Sequence, residues 1–268
     1  DYGSKNIIIQ MLKPVVIKIV QWLSSGRISS QWQWPQNMRI IVNSQKNLEM
    51  NQQIGIPMDN AVVLHSGIDL EVFTFRPRTA LKQPVKILCP GRLEPRKGML
   101  DGVELVAALN AQGIQALLTL VGAKISDDFQ QVLEEEIITL GISEKVNILD
   151  MVSQQKLVAL YHTADICFFP SYQEAGFSRI PLEAMACGCV VISYGNEGSA
   201  EIIEHDNNGH LVNPKDYKQI IHIIKNFQSS PKMYQEFIGY SRRKIEQKHG
   251  INDYVTKVEA IIRSKVSD

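Results

Sequence analysis

Gln173-Glu174-Ala175-Gly176-Phe177-Ser178-Arg179-Ile180-Pro181-Leu182-Glu183-Ala184-Met185-Ala186-Cys187-Gly188 is the stretch around which the chain is organised. It follows an apolar run ending in Phe168-Phe169-Pro170, which reads as a buried strand. It closes with a helical phrase, Leu182 to Ala186, and Gly188, a residue suited to a helix C-terminus. The loop between strand and helix holds Gly176, where backbone can approach a ligand closely. Glu174 lies in that loop, free amides gather near the helix start, and Glu183 sits on the helix. Helix-start amides attract phosphate, and a carboxylate accepts hydrogen bonds from paired sugar hydroxyls. The combination suits a nucleotide sugar.

From Lys86 onward the pattern alternates strand and helix, the signature of a parallel sheet with crossover helices. Predicted strands are Lys86–Cys89, Ala116–Val121, Val146–Leu149, Ile166–Phe169, Val190–Ser193 and a short Leu211–Val212. Predicted helices lie near Gly98–Ala111, Asp127–Leu140, Gln154–His162, Ile180–Cys187 and Ser199–Glu204. Lys215 to Phe227, Pro231 to His249 and Ile251 to Val266 read as three closing helices. The fold class is therefore α/β with a doubly wound parallel sheet, in which ligands bind outside the carboxyl ends of the strands. Before this unit come a short strand at Arg39–Asn43, Ser44 as an N-cap, a polar helix to Ile54 and a strand at Val62–Leu64. Arg76 to Pro84 reads as a loose linker.

Composition narrows the class. Hydrophobic residues make up 44% and charged residues 21%, so a packed core is expected. Lysine plus arginine equals aspartate plus glutamate at 28 each; with no net charge and no matching motif, nucleic acid is not expected as a partner. Cys89, Cys167, Cys187 and Cys189 show no metal spacing and read as small buried hydrophobes in a reducing compartment, which places the chain in the cytoplasm. The six histidines share no metal spacing, and each reads as a surface or cap residue. Asp69 and Glu71 imitate half of a metal-binding Asp-x-Asp, but a turn-capping aspartate is the plainer reading. Asp206-Asn207-Asn208-Gly209 is a turn signal. The chain begins at Asp1 with no signal-peptide pattern, as the interior of a longer reading frame would. Asn6 to Ser25 reads as a kinked buried helix, or alternatively as an interfacial one with Lys13, Lys18 and Trp22 at lipid headgroups. The second reading would add peripheral contact with the inner face of a membrane.

Cys89-Pro90-Gly91-Arg92-Leu93-Glu94-Pro95-Arg96-Lys97-Gly98 is the second key stretch. It is no P-loop, because no Ser or Thr follows the Gly-Lys pair such a loop requires. Together with Phe177 and Leu182-Glu183-Ala184-Met185-Ala186 it resembles the motifs of the large retaining glycosyltransferase family with the two-domain GT-B fold, often called family 4. His65-Ser66-Gly67-Ile68-Asp69 is similar to the family's interdomain phrase, and Asn196-Glu197-Gly198-Ser199-Ala200-Glu201-Ile202-Ile203 to a later fold-building one. The resemblance implies a Rossmann-like C-terminal domain over residues 66–250. It also implies a remnant of a second Rossmann-like domain over 1–65, with the helix at 251–268 packing back on it.

By that resemblance Arg92 and Lys97 bind the donor's diphosphate as the leaving group, beside Gly91. Glu183 accepts hydrogen bonds from the ribose, and the backbone around Gly176, Phe177, Ser178 and Arg179 meets phosphate. Gly122 ends a strand beneath the nucleotide, and the backbone of Met151 and Val152 reads the base edge. Glu174 holds hydroxyls of the transferred sugar; one more residue separates it from Glu183 than in the family pattern, so strict register puts Ala175 in its place. The implied activity is hexosyl transfer with retention from a nucleotide-sugar donor to a glycan or lipid-linked acceptor, in polysaccharide or cell-envelope synthesis. No metal or other cofactor is implied, the cations and helix amides doing a metal's work. Two alternatives stay open: a GT-B epimerase or phosphorylase, or a non-catalytic nucleotide-sugar-binding half. The latter would need a separate N-domain partner or self-association.

Overall fold

The computed structural model describes residues 38–172, 176–195 and 198–264. The kinked helix expected at Asn6 to Ser25, Glu174 and the Asn196-Glu197 pair lie outside the described residues. Among the described residues there are two sheets. A parallel pair, β1 (Ile40–Val42) and β2 (Ala61–Val63), flanks helix α1 (Gln45–Gln53), whose N-cap Ser44 accepts from the Asn47 amide as its sequence position predicted. The second sheet carries six parallel strands: β3 (Val85–Pro90), β4 (Ala116–Val121), β5 (Val146–Leu149), β6 (Ile166–Phe169), β7 (Val190–Ser193) and β8 (His210–Leu211). Their spatial order is β5-β4-β3-β6-β7-β8.

Among the described residues four further helices form crossovers between these strands and three more follow β8. They are α2 (Met99–Ala111), α3 (Asp127–Thr139), α4 (Gln154–Thr163), α5 (Ile180–Ala186), α6 (Tyr217–Ser229), α7 (Pro231–Lys248) and α8 (Ile251–Arg263). Both faces of the sheet are covered, which is why its strands read as nearly continuous apolar runs. Ile87, Cys89, Leu118, Phe168 and Ile192 pack with α2, α3 and α6 on one side. Leu88, Cys167 and Val191 pack with Tyr161 of α4, with α5 and with Ile245 of α7 on the other. All four cysteines are buried free thiols, and burial raises each of them, Cys189 to about 11. They serve as packing, as their apolar settings in the sequence suggested.

Three local expectations need correction. The helix expected at Ser199–Glu204 is a 3-10 turn, Gly198–Ile202. Helix α6 starts at Tyr217 rather than Lys215, because Lys215 takes a left-handed backbone (φ 61°) and Asp216 caps the Gln219 amide. The segment Arg76 to Pro84 is no loose linker. Arg78 donates to the carbonyls of Tyr161 and Ala164 at the end of α4, and to those of Cys187 and Gly188 at the end of α5. A cation on two helix C-termini satisfies orphan carbonyls and complements both dipoles. No periodic pattern announces such a strap.

Asp101, in the first turn of α2, is buried and accepts hydrogen bonds from Tyr172 (2.7 Å) and Tyr194 (2.5 Å). Burial, reinforced by this carboxylate, holds both phenols well above their usual range, so they remain donors. The bonds fix the start of the loop after β6. Asp101→Ala removes two charge-assisted bonds at a buried site and is expected to cost about 3 kcal/mol. In a chain of this size that lowers Tm by roughly 6–12 °C, measurable by thermal unfolding.

Candidate functional site

The strand order reverses direction between β3 and β6, so a crevice opens outside their carboxyl ends. The loops along this edge are stitched into one rim by backbone bonds. Gly122 N–H donates to Leu149 (3.1 Å), Gly91 N–H to Val121 (2.9 Å), and Leu93 N–H to Ala123 (2.9 Å). Across the switch point Tyr172 N–H donates to Arg96 (2.9 Å), and between the loops after β7 and β6 Gly198 N–H donates to Gly176 (3.3 Å). Two glycines make the approach possible. A Cβ on Gly122 would sit 1.9 Å from the Gly91 carbonyl oxygen, and one on Gly98 would sit 2.2 Å from that of Pro170.

The residues singled out from the sequence all follow the carboxyl ends of these strands: Gly91, Arg92 and Lys97 after β3, Gly122 after β4, Met151 and Val152 after β5, and Gly176, Phe177, Ser178, Arg179 and Glu183 after β6. Glu174 lies outside the described residues. Lys97 closes a 3-10 turn, Pro95–Lys97, and is 8% exposed, with its stem near Gly91. Arg92 is about half exposed, with Nε 3.2 Å from Glu94 Oε1. Arg96 approaches the same oxygen at 2.8 Å, so Glu94 holds two guanidiniums beside the crevice. Sequence reading gave Glu94 no role; its place between two arginines in Arg92-Leu93-Glu94-Pro95-Arg96 was the available signal.

Glu183 occupies the first turn of α5, which begins at the carboxyl end of β6, and it is 6% exposed. Tyr161 OH donates to its Oε2 (3.1 Å), and Arg179 Nε lies 3.8 Å from Oε1. Burial raises the carboxyl above the usual 4.5, opposed by the Tyr161 bond and the Arg179 charge. Arg179 therefore lies against Glu183 on an exposed face. Tyr161 could not be found from sequence, since nothing in a tyrosine of α4 marks a partner on α5. Ser178 Oγ accepts from the Ile180 amide (3.3 Å) at the entrance to α5. Met151 is 78% exposed, and its amide donates to Asp150 Oδ1 (2.6 Å).

Two groupings lie elsewhere. Asp69 caps the amides of Glu71 and Val72, the turn role expected of it. His205, Asp206 and His210 converge with ligand atoms within 4.8 Å of one another, although their sequence spacing matches no metal pattern. Leu211 N–H donates to His205 Nδ1 (3.1 Å), which places the ring proton of neutral His205 on Nε2, facing Asp206. His210 Nδ1 lies 2.8 Å from the same carboxylate. His210 is buried in the core and stacked on Phe237 (5.0 Å), contrary to its reading as a surface or cap residue; burial lowers its pKa. A cavity of about 400 Å³, lined by His65, Glu201, Lys248, His249 and Tyr254 among others, is separate from Arg92, Lys97 and Glu183. Among the described residues no helix is long and apolar enough to cross a membrane.

Residues 72–244 match the family model described as glycosyl transferases group 1. Among curated proteins, the amylovoran biosynthesis glycosyltransferase AmsK of Erwinia amylovora is 28% identical over 198 residues, covering 72% of this chain and 48% of that protein. The D-inositol 3-phosphate glycosyltransferase of Mycolicibacterium smegmatis is 31% identical over 194 residues, covering 66% of this chain and 42% of its own length. The chain thus spans about half the length of the curated relatives it matches. Among solved structures, Anabaena HepE in complex with UDP-glucose superposes with a TM-score of 0.74 at 21% identity, covering 84% of this chain and 63% of HepE.

Proposed function

The chain belongs to the glycosyl transferases group 1 family, and on that premise we propose that its six-stranded unit is the donor-binding half of a retaining hexosyltransferase. The observation that carries this reading is the single rim at the switch point, which joins a buried lysine, an arginine and a buried glutamate. In the proposed complex Lys97 and Arg92 meet the diphosphate, while Glu183 accepts from the ribose hydroxyls. Amides of Phe177 to Arg179 add donors to the phosphates, the backbone of Met151 and Val152 faces the base, and Glu174 holds the sugar.

Transfer breaks the bond from the sugar's anomeric carbon to the diphosphate oxygen, which leaves with the electron pair. Fixed cations stabilise the charge that develops there, and they do so best in a site already organised. The acceptor hydroxyl oxygen then bonds to the anomeric carbon on the same face, and its proton passes to the departing phosphate oxygen. Arginine forks onto two phosphate oxygens, while lysine gives a compact charge. A polysaccharide or envelope glycan is the proposed acceptor setting, and the cytoplasm, at or near the inner face of a membrane, the proposed location. HepE, the structural neighbour, is seen with UDP-glucose, which makes a uridine nucleotide the first donor to try.

Calorimetric titration of UDP, GDP and ADP tests the reading. Lys97→Met is expected to weaken binding of the preferred diphosphate by about 10- to 150-fold, the range for one charge-assisted bond. Arg92→Ala should cost less, because an exposed guanidinium is screened by solvent. Equal affinity of the wild type and Lys97→Met for the diphosphate would overturn the assignment.

A further inference from the structure

One carboxylate, Glu201, anchors the N-terminal unit beside the rim. Helix α1 opens with the amides of Gln45 and Lys46 directed at Glu201, donating to Oε2 and Oε1 at 2.9 Å each. Ser44 Oγ takes the next amide, that of Asn47, at 3.0 Å. A helix start needs such acceptors, but here two of the three come from a residue far along the chain. His65, just past β2, donates from Nε2 to the same Glu201 Oε2 at 2.8 Å. Partial burial pushes the Glu201 carboxyl up, and bonds from Lys46, His65 and Gln45 outweigh it, leaving it below the usual glutamate value.

Two contacts carry this junction to the rim. The His65 ring stacks on Phe177, with centroids 5.4 Å apart and planes 18° from parallel. Gly198 lies so close to the N-cap that a Cβ there would come within 2.5 Å of Ser44 Cβ, and its amide donates to Gly176. Gly176 and Phe177 thus touch the N-terminal unit through separate routes.

We propose that Glu201 and His65 are positioning residues: docking of α1 on Glu201 seats His65 against Phe177, and so sets the amides at 176–179 for the donor's diphosphate. Neither residue reaches the reacting atoms; both act through Phe177 and its neighbours. The role rests on the donor-site reading above, but the mechanical link does not.

Amide hydrogen exchange on the full chain separates the two. Glu201→Ala is expected to speed exchange at 45–46 and at 176–179 by about tenfold or more, and Glu201→Gln by less, since an amide oxygen keeps part of the acceptor role. His65→Ala should loosen 176–179 while leaving 45–46 protected. Glu204→Ala, which removes the Lys244 and Tyr240 partners of a neighbouring acid, should change neither segment. In calorimetry Glu201→Ala should weaken UDP-glucose about tenfold and leave UMP, which lacks the second phosphate, nearly unchanged. Faster exchange at 45–46 with none at 176–179 would overturn the link. So would equal losses for UMP and UDP-glucose, which would mark general loosening. A wild type that binds no nucleotide would sink the donor reading, while the exchange results would still decide the link.

Discussion

Gly98→Ala is expected to lower stability by at least about 3 kcal/mol, the sum of left-handed strain and overpacking, and to cost roughly 6–12 °C in Tm. Gly98 has φ 68° and joins the 3-10 turn that ends at Lys97 to helix α2. An added Cβ would lie 2.2 Å from the Pro170 oxygen and 3.0 Å from its carbonyl carbon. Neither neighbour can move without parting the loop after β3 from the loop after β6. A side chain here therefore pries open the switch-point rim as well as straining the backbone. Gly113→Ala supplies the control. Its φ is 75°, but nothing lies within 4 Å of the added Cβ, so it should lose only the conformational part, about 1–2 kcal/mol. Thermal unfolding of the pair isolates the contact. Equal losses would mean that the two loops can separate at little cost.

Glu183→Gln is expected to stabilise the unliganded chain and, on the proposed reading, to damage nucleotide binding. Because burial raises the Glu183 carboxyl above its unfolded value, its contribution to stability is fully present below that unfolded value, near 4.5. The contribution is lost as pH rises through the higher folded pKa, so at neutral pH the buried charge works against folding. Glutamine carries no charge and still offers Tyr161 an acceptor oxygen. The variant should therefore have a higher Tm than wild type at pH 7.5, with the gap narrowing as pH falls. Nucleotide affinity should move the other way, weakening by about 30- to 150-fold as ribose loses a charged acceptor. For the wild type, affinity should also decline as pH falls through the raised pKa, because a protonated carboxyl accepts less well. The variant should show no such decline. Calorimetry and thermal scans at matched pH values read both effects, and a variant less stable than wild type at pH 7.5 would contradict the burial argument.

These two sites show what the sequence could convey. The strands of the central sheet were legible because a sheet buried on both faces leaves unbroken apolar runs such as Ile166–Phe169 and Val190–Ser193. Loop glycines, cations and one helix acid were legible as types: Gly91, Gly122, Lys97 and Glu183 all stood out before their neighbours were known. Their partners were hidden. Tyr161, Glu94 and the Asp101–Tyr172–Tyr194 group join side chains from different elements, and such pairs leave no period in a sequence. The same holds for the Arg78 strap, whose acceptors are backbone carbonyls that every residue type possesses. Ser199–Glu204 misled for a local reason: a short run with helical composition has too few residues to stabilise a full α-turn and settles as a 3-10 turn.

The most direct measurement is amide chemical-shift mapping of the chain titrated with UDP. The account predicts saturable shifts concentrated at Gly91 to Lys97, Gly122, Val152 and Gly176 to Glu183, all on the one rim. Saturable shifts confined to the cavity beside His249, or to any other face, with the rim silent, would contradict it.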